Sequence, residues 1–250
     1  MKIERVSLVI PVFNEAAMRS HLAGSMGRLQ DCLRDSGRRA HFVFVDDGST
    51  DGTALMLREL VSGLEEAEVV THERNRGVGA AMRTGFGRAR GEAVVCYDAD
   101  CVYPVEDVLR LLDALDHCEV ATATPFANAE DFSRQVPLGR RLLSRAASLA
   151  YRLALGPASE GVTTYTCAFR AYRADWLKGL RFRADGFLAA AEILVRAKLS
   201  GARVVEISSR LGERPAGVSK MKVVRTAMSH VGLLVRIAFE RLLGRHRGRR

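Results

Sequence analysis

Phe42–Asp51 reads FVFVDDGSTD, and Val94–Asp100 reads VVCYDAD. Each is an apolar run that ends in a pair of carboxylates. Near-continuous apolar strands belong to parallel sheets covered on both faces, and ligands of such sheets bind outside the carboxyl ends of the strands. Two acid pairs at two strand ends thus point to an α/β fold and to one edge of it. One pair can orient a nucleoside by hydrogen bonds. The other can hold a divalent metal against a diphosphate, because Mg²⁺ and Mn²⁺ favour oxygen ligands.

Working outward, strand-like runs recur at Val6–Val12, Ala40–Val45, Glu68–Thr71, Ala93–Tyr97 and Glu119–Ala123. Stretches with helical spacing separate them, such as Leu55, Leu57, Leu60, Val61 and Leu64. Strands alternating with helices predict parallel pairing through crossover helices. After Thr124 the pattern loosens. Pro125–Pro137 reads as a loop, Leu138–Leu155 as a helix, Tyr165–Tyr172 as a strand, Phe187–Leu199 as a helix and Arg203–Ile207 as a strand. A loop at Ser208–Ser219 then leads to a last helix over Lys220–Leu243. The expectation is one catalytic domain over 1–219 with a tail over 220–250.

The chain has 250 residues, 48% of them apolar, enough for one large domain. Its formal charge of +9 is concentrated: from Lys220 to Arg250 there are nine Lys and Arg against one acid, Glu240. A near-neutral body with a cationic tail argues against a broad nucleic-acid surface and for a tail that meets something anionic. No aromatic residues interleave the tail's last arginines, which further disfavours nucleic acid. Five cysteines without a C-x-x-C pair fit reduced thiols in the cytoplasm. The N-terminal MKIERVSLVIPVF reads as a first strand, not as a signal peptide.

The shorter motifs each admit a plain reading. Asp98-Ala99-Asp100 can be a solvated turn, although the strand before it and the helix start at Pro104 and Glu106 favour a ligand role. In the other acid motif, Ser49 or Thr50 can cap a helix and Gly48 offers a permissive backbone. Adjacent Asp46 and Asp47 still need a compensating partner. Asn14 is an N-cap candidate, and Glu15 suits a first helical turn. Asn75-Arg76-Gly77-Val78-Gly79 is a turn suited to close backbone approach or to phosphate at a helix N-terminus. It lacks the spacing of a P-loop or a dinucleotide fingerprint. Arg214, Ser219 and Lys220 flank a Gly/Pro loop able to close over a diphosphate or to lie in solvent.

Together PVFNE, VDDGSTD, NRGVGAA, DAD, FRAYR at 169–173, DGFLAAAE and RPAGVSK resemble the family-2 glycosyltransferases of GT-A fold, in the polyprenyl- or dolichyl-phosphate sugar synthase branch. That resemblance covers about residues 5–222. It implies a nucleoside pocket lined by Pro11, Phe13 and Glu15 with Asp46 or Asp47. It makes Asp98 and Asp100 ligands of Mg²⁺ or Mn²⁺ and of the sugar diphosphate. Arg214 and Lys220 would close over the phosphates, and Glu192 would face the sugar hydroxyls. Arg140, Arg141 and Arg145 would meet the acceptor phosphate. Three departures stand out: Val102 where the family often has Gln, Thr163 and Thr164 where it often has Asp, and Ala168 where Gly is usual.

The implied reaction is inverting transfer of a hexose from a nucleotide-diphospho-sugar, GDP-mannose or a UDP-hexose, to a polyprenyl phosphate. The acceptor is already ionised, so no general base is expected. Val223, Ala227, Val231, Leu234, Val235, Ala238 and Leu242 fall on one side of the last helix, and its longest uncharged run, Thr226–Val235, is too short to span a bilayer. A basic amphipathic helix of this kind lies on an anionic membrane surface, here the inner face; packing against the domain is the alternative. Transfer to a hydroxyl acceptor and a catalytically inactive nucleotide-sugar binder are the competing functions.

Overall fold

The computed structural model describes residues 3–124, 138–210, 212 and 223–242; of 138–141, 143, 223–225, 241 and 242 it describes the backbone alone. Among these residues the strands are β1 (Arg5–Val12), β2 (Arg39–Asp46), β3 (Ala67–Thr71), β4 (Ala93–Cys96), β5 (Val120–Thr124), β6 (Arg170–Arg173) and β7 (Val204–Ser208). They form one sheet in the order β3-β2-β1-β4-β6-β5-β7. Every pairing is parallel except the two made by β6, which runs antiparallel to β4 and β5. The α-helices are α1 (Arg19–Asp35), α2 (Thr53–Val61), α3 (Val78–Arg88), α4 (Asp107–Ala114), α5 (Leu138–Leu155), α6 (Ala174–Gly179), α7 (Leu188–Leu199) and α8 (Val223–Leu242).

Side chains alternate across each strand, so the apolar strands feed two cores. Val6, Leu8, Ile10 and Val12 join Leu22, Met26 and Leu29 of α1 and Leu111 and Leu112 of α4 on one face. Val9, Val43, Val45 and Val94 join Ala81 and Met82 of α3, Ile193 and Leu194 of α7, and Leu233 and Ile237 of α8 on the other. Each fully buried aliphatic side chain is worth roughly 1.5–3 kcal/mol. The three-layer α/β architecture is the one that the alternating pattern predicts.

The expected strand over Tyr165–Tyr172 is corrected. It spans only Arg170–Arg173, although just before it the Phe169 carbonyl still accepts the Ala123 N–H of β5 at 3.1 Å. The Thr164 N–H donates to Glu206 Oε1 at 2.8 Å, and the Thr163 hydroxyl donates to Glu206 Oε2 at 2.7 Å. The Tyr165 carbonyl accepts from Arg170 Nη2 at 2.9 Å. Arg170 itself is fully buried and also donates to Thr122 Oγ1 at 2.9 Å and to the Ala190 carbonyl. A guanidinium with three neutral acceptors thereby ties β6 to β5 and α7.

The site follows from the strand order. From β1 the chain moves outward to β2 and β3, then returns to place β4 on the other flank of β1. The crevice at the carboxyl ends of β1 and β4 is therefore a topological switch point, where open α/β sheets bind ligands.

Candidate active site

Register brings the acidic motifs level. Val12 pairs with Asp46 across β1–β2, and Val9 pairs with Cys96 across β1–β4. The Tyr97 N–H continues that second ladder by donating to the Val9 carbonyl at 3.0 Å. Asp98 and Asp100 follow the end of β4, and Asp47 follows the end of β2. Pro11, Phe13, Asp46, Asp47, Asp98 and Asp100 thus lie at or just beyond the carboxyl ends of three neighbouring strands, β1, β2 and β4.

The loops after β1 and β2 interlock. The Asn14 N–H donates to Ser49 Oγ at 2.9 Å, and the Thr50 N–H donates back to Asn14 Oδ1 at 2.8 Å. The Glu15 N–H donates to Thr53 Oγ1 at 2.8 Å. Asn14 takes a φ of 52°, a left-handed conformation that Asn tolerates better than most residues. These bonds correct three expectations. Asn14, Ser49 and Thr50 are not helix caps; they join PVFNE to DDGSTD as one structural unit. Asp51 serves the start of α2 instead, where its Oδ1 accepts the Thr53 N–H at 2.9 Å.

Asp46 and Asp47 have different partners. Asp47 Oδ1 accepts the Arg76 N–H at 2.9 Å and lies 2.7 Å from His72 Nδ1, while Oδ2 accepts the Gly77 N–H at 2.7 Å. His72 is held in turn by Thr84 Oγ1 at 2.9 Å from its Nε2. Asp47 is thereby fully engaged in shaping the Arg76-Gly77 turn. Asp46 Oδ1 accepts the Ser49 N–H at 3.0 Å, but its buried Oδ2 has no hydrogen-bond partner. An orphaned carboxylate oxygen is costly to bury. Sequence reasoning missed His72. Its only signal was a lone His after β3, just before the NRG turn.

That turn does not serve as an open anion site. The Gly79 and Ala80 N–H groups donate to the Asp185 carbonyl at 2.6 and 3.1 Å, so the N-terminus of α3 is closed by the protein itself. A Cβ at Gly77 would sit 2.4 Å from that carbonyl oxygen, and one at Gly79 would sit 2.3 Å from the Ala184 oxygen. Of the two roles open to NRGVG, close backbone approach is the one adopted.

Asp98 and Asp100 occupy a turn closed by the Cys101 N–H donating to the Asp98 carbonyl at 3.0 Å. Both are half-buried. Beneath the turn, Tyr97 meets Phe169 edge-on at 5.2 Å and Tyr103 stacks on the same ring at 5.0 Å. The Tyr97 hydroxyl donates to the Tyr103 carbonyl. The first residue of FRAYR therefore supports the DAD turn. Burial first, then neighbouring thiols and both carboxylates, pushes the Tyr97 and Tyr103 hydroxyls above their usual range. Burial, with Asp100 and Asp98, likewise raises the Cys101 thiol to about 12 despite a hydrogen bond from Ser25. Two carboxylate fields thus fall on the same groups. Such a concentration of negative charge on hard oxygen donors fits Mg²⁺ or Mn²⁺. Among the described residues no group of three His, Cys, Asp or Glu could hold an ion.

The remaining candidates fall elsewhere. Arg214 and Lys220 lie outside the described residues, as do the side chains of Arg140 and Arg141. Arg145 is exposed on α5. The Gly212 N–H donates to the Val102 carbonyl at 2.6 Å, which anchors the chain beside the DAD turn two residues before Arg214. The expected role of Glu192 against sugar hydroxyls is not what the geometry offers. It is 1% exposed, and both oxygens are engaged by protein groups: the Arg183 and Ala184 amides at 3.0 and 2.8 Å, and Arg236 Nη2 at 2.6 Å.

With this geometry in place, likeness to known proteins is specific. The chain is 33% identical to polyprenol monophosphomannose synthase of Mycolicibacterium smegmatis, over 91% of this chain and 86% of that protein. It is 30% identical to dolichol-phosphate mannosyltransferase of Pyrococcus furiosus over 87% of this chain, but spans only 59% of that protein. An undecaprenyl-phosphate 4-deoxy-4-formamido-L-arabinose transferase of Pectobacterium carotovorum is also 30% identical, with 64% of its length spanned. Glucosyl-3-phosphoglycerate synthase of Mycobacterium tuberculosis, solved with phosphoglyceric acid, superposes with a TM-score of 0.70 at 20% identity, over 94% of this chain and 80% of that one. The same enzyme solved with Mn²⁺, UDP-glucose and phosphoglyceric acid gives 0.69 at 18% identity. These structures establish the GT-A fold. Residues 7–181 match the sequence profile of glycosyl transferase family 2, and the chain belongs to that family.

Proposed function

We propose that the protein transfers a hexose, with inversion, from a nucleotide-diphospho-sugar (GDP-mannose or a UDP-hexose) to a polyprenyl phosphate. The observation that supports this reading is that the DAD turn follows β4 and the interlocked loops of Pro11–Glu15 and Asp46–Thr53 follow β1 and β2, on either side of the switch point. The pocket would take the nucleoside against Pro11, Phe13, Glu15 and the free acceptor on Asp46. Asp98 and Asp100 would hold Mg²⁺ or Mn²⁺, which when bound neutralises charge on the diphosphate leaving group. Arg214 and Lys220 would cover the phosphates. The acceptor phosphate, ionised at neutral pH, needs no proton removed, and Arg145 with Arg140 and Arg141 would offset its charge.

The relatives named above support a polyprenyl-phosphate acceptor, and the surface of the C-terminal helices agrees with one. No helix among the described residues is long and apolar enough to cross a membrane. Helix α8 packs on the domain through Leu233 and Ile237, and Tyr151 Oη of α5 lies 2.6 Å from His230 Nδ1. Both helices nevertheless turn apolar side chains outward: Leu142, Leu149 and Leu153 on α5, and Met228, Val231, Val235 and Phe239 on α8. Packing and lipid contact are therefore compatible roles for two faces of one helix. Beside the arginine-rich residues 241–250, this ridge would seat the protein peripherally on the anionic inner face of a membrane.

Incubating the protein with radiolabelled GDP-mannose or UDP-glucose, Mn²⁺ and polyprenyl phosphate tests the reading. Label should enter the lipid phase only when metal is present. Label moving to a glycan or small-molecule hydroxyl, with a basic limb in the pH–rate profile, would favour the hydroxyl-acceptor alternative.

A further inference from the structure

Helix α8 and the loop that closes α3 meet at one buried carboxylate. Glu192 Oε2 accepts the Arg183 and Ala184 N–H groups, and Oε1 accepts Arg236 Nη2 from α8 at 2.6 Å. The next residue, Asp185, gives its carbonyl to the Gly79 and Ala80 amides of α3. One turn back, the Gly77 N–H reaches Asp47, which neighbours Asp46 in the nucleoside pocket. An unbroken path of hydrogen bonds and short covalent steps thus runs from α8 through α7 and the 183–185 loop to the donor pocket. Burial opposes ionisation of Glu192, yet the two amides and Arg236 outweigh it and hold the carboxyl below its usual range. The carboxylate is therefore the form that clamps the loop.

We propose that Glu192 is a positioning residue through which the Arg236 contact from α8 sets the Arg76-Gly77 turn, so that loss of that contact weakens nucleotide binding. This rests on the donor site proposed above and adds a route from the C-terminal helix to it. Arg196 lies 3.6 Å from Glu192 Oε1, and Leu233, Ile237 and the Tyr151–His230 contact still hold α8. A variant lacking the Arg236 charge thus retains a cation near Glu192 and a seated helix, and should fold.

The test is calorimetric titration of the full chain with GDP and with UDP, each with Mn²⁺, beside amide hydrogen exchange. For Arg236→Met the expected results are a dissociation constant raised about fivefold and faster exchange at Arg183, Ala184, Gly79 and Ala80. Arg236→Lys should recover part of both. Glu192→Gln, which keeps an acceptor for the two amides but loses the ion pair, should match Arg236→Met, and the double variant should be no worse than either single one. Should Arg236→Met fail to fold, Glu192→Gln reads the same contact. Wild-type affinity in the single variants, or additive losses in the double variant, overturns the coupling alone. A wild-type protein that binds neither nucleotide overturns the donor site proposed above, and the coupling with it.

Discussion

From Phe13 to Asp100 the loops at the sheet edge are shaped by directional bonds among amides, hydroxyls and carboxylates, with Asp46 Oδ2 left unpaired. In the second half of the chain, α5 and α8 present apolar ridges that are exposed among the described residues. The first region depends on atoms in fixed places, so a single substitution should remove a function outright. The second depends on area and charge, so its substitutions should act by degrees and in proportion to what they expose.

The largest effect is expected at the DAD turn. Asp98→Ala and Asp100→Ala should each lower turnover by at least about a thousandfold, measured at saturating Mn²⁺. Near-full activity in either variant would remove that residue from the site. Next in size is Gly79→Ala, whose Cβ would meet the Ala184 oxygen at 2.3 Å. It should cost about 1–3 kcal/mol, read from denaturant melts, and an unchanged midpoint would mean the loop yields freely.

The two neighbouring acids offer a sharper comparison within the first region. Asp47→Asn should destabilise by about 1–3 kcal/mol, because three groups lose a charged acceptor. Asp46→Asn should leave stability within about 0.5 kcal/mol of wild type while weakening nucleotide binding. If both variants lose stability equally, the division of labour between them is wrong.

Smaller effects belong to the helices. Val231→Glu with Phe239→Glu should reduce cosedimentation with anionic liposomes while GDP or UDP affinity stays at the wild-type value. Unchanged sedimentation would leave the ridge without a lipid role. Glu192 bears on pH. Its carboxyl lies below the usual value when folded, so its stabilisation is complete above the unfolded-chain pKa and is lost as pH falls through the folded one. Thermal melts from neutral to acid pH should decline less steeply for Glu192→Gln than for wild type.

What could be read in the sequence follows the same divide. Strand ends carrying FVFVDD and VVCYDAD announced the sheet edge, because apolar runs and acids are local signals. The bounds of α5 and the existence of β7 and α8 were likewise legible from spacing. The pairing of Asn14 with Ser49 and Thr50 was not, since hydroxyls near a helix start look like caps until the partner loop is in place. Glu192 misled for a related reason: an acid on an apolar helix looks available until Arg236 and two amides from other segments occupy it. The extent of β6 was not legible either, because the Tyr165 carbonyl is taken by the buried Arg170 side chain, a bond that an apolar run does not announce.

The antiparallel β6 has a consequence for how the chain reaches this state. Because it fills the gap between β4 and β5, the β5–β7 pair has no ladder to the β1–β4 sheet until residues 170–173 are inserted. During synthesis the first four strands can assemble early with α1 and α3, while β4 keeps a bare edge open to mispairing. Chains ending before Arg170 should therefore aggregate more readily than the full chain.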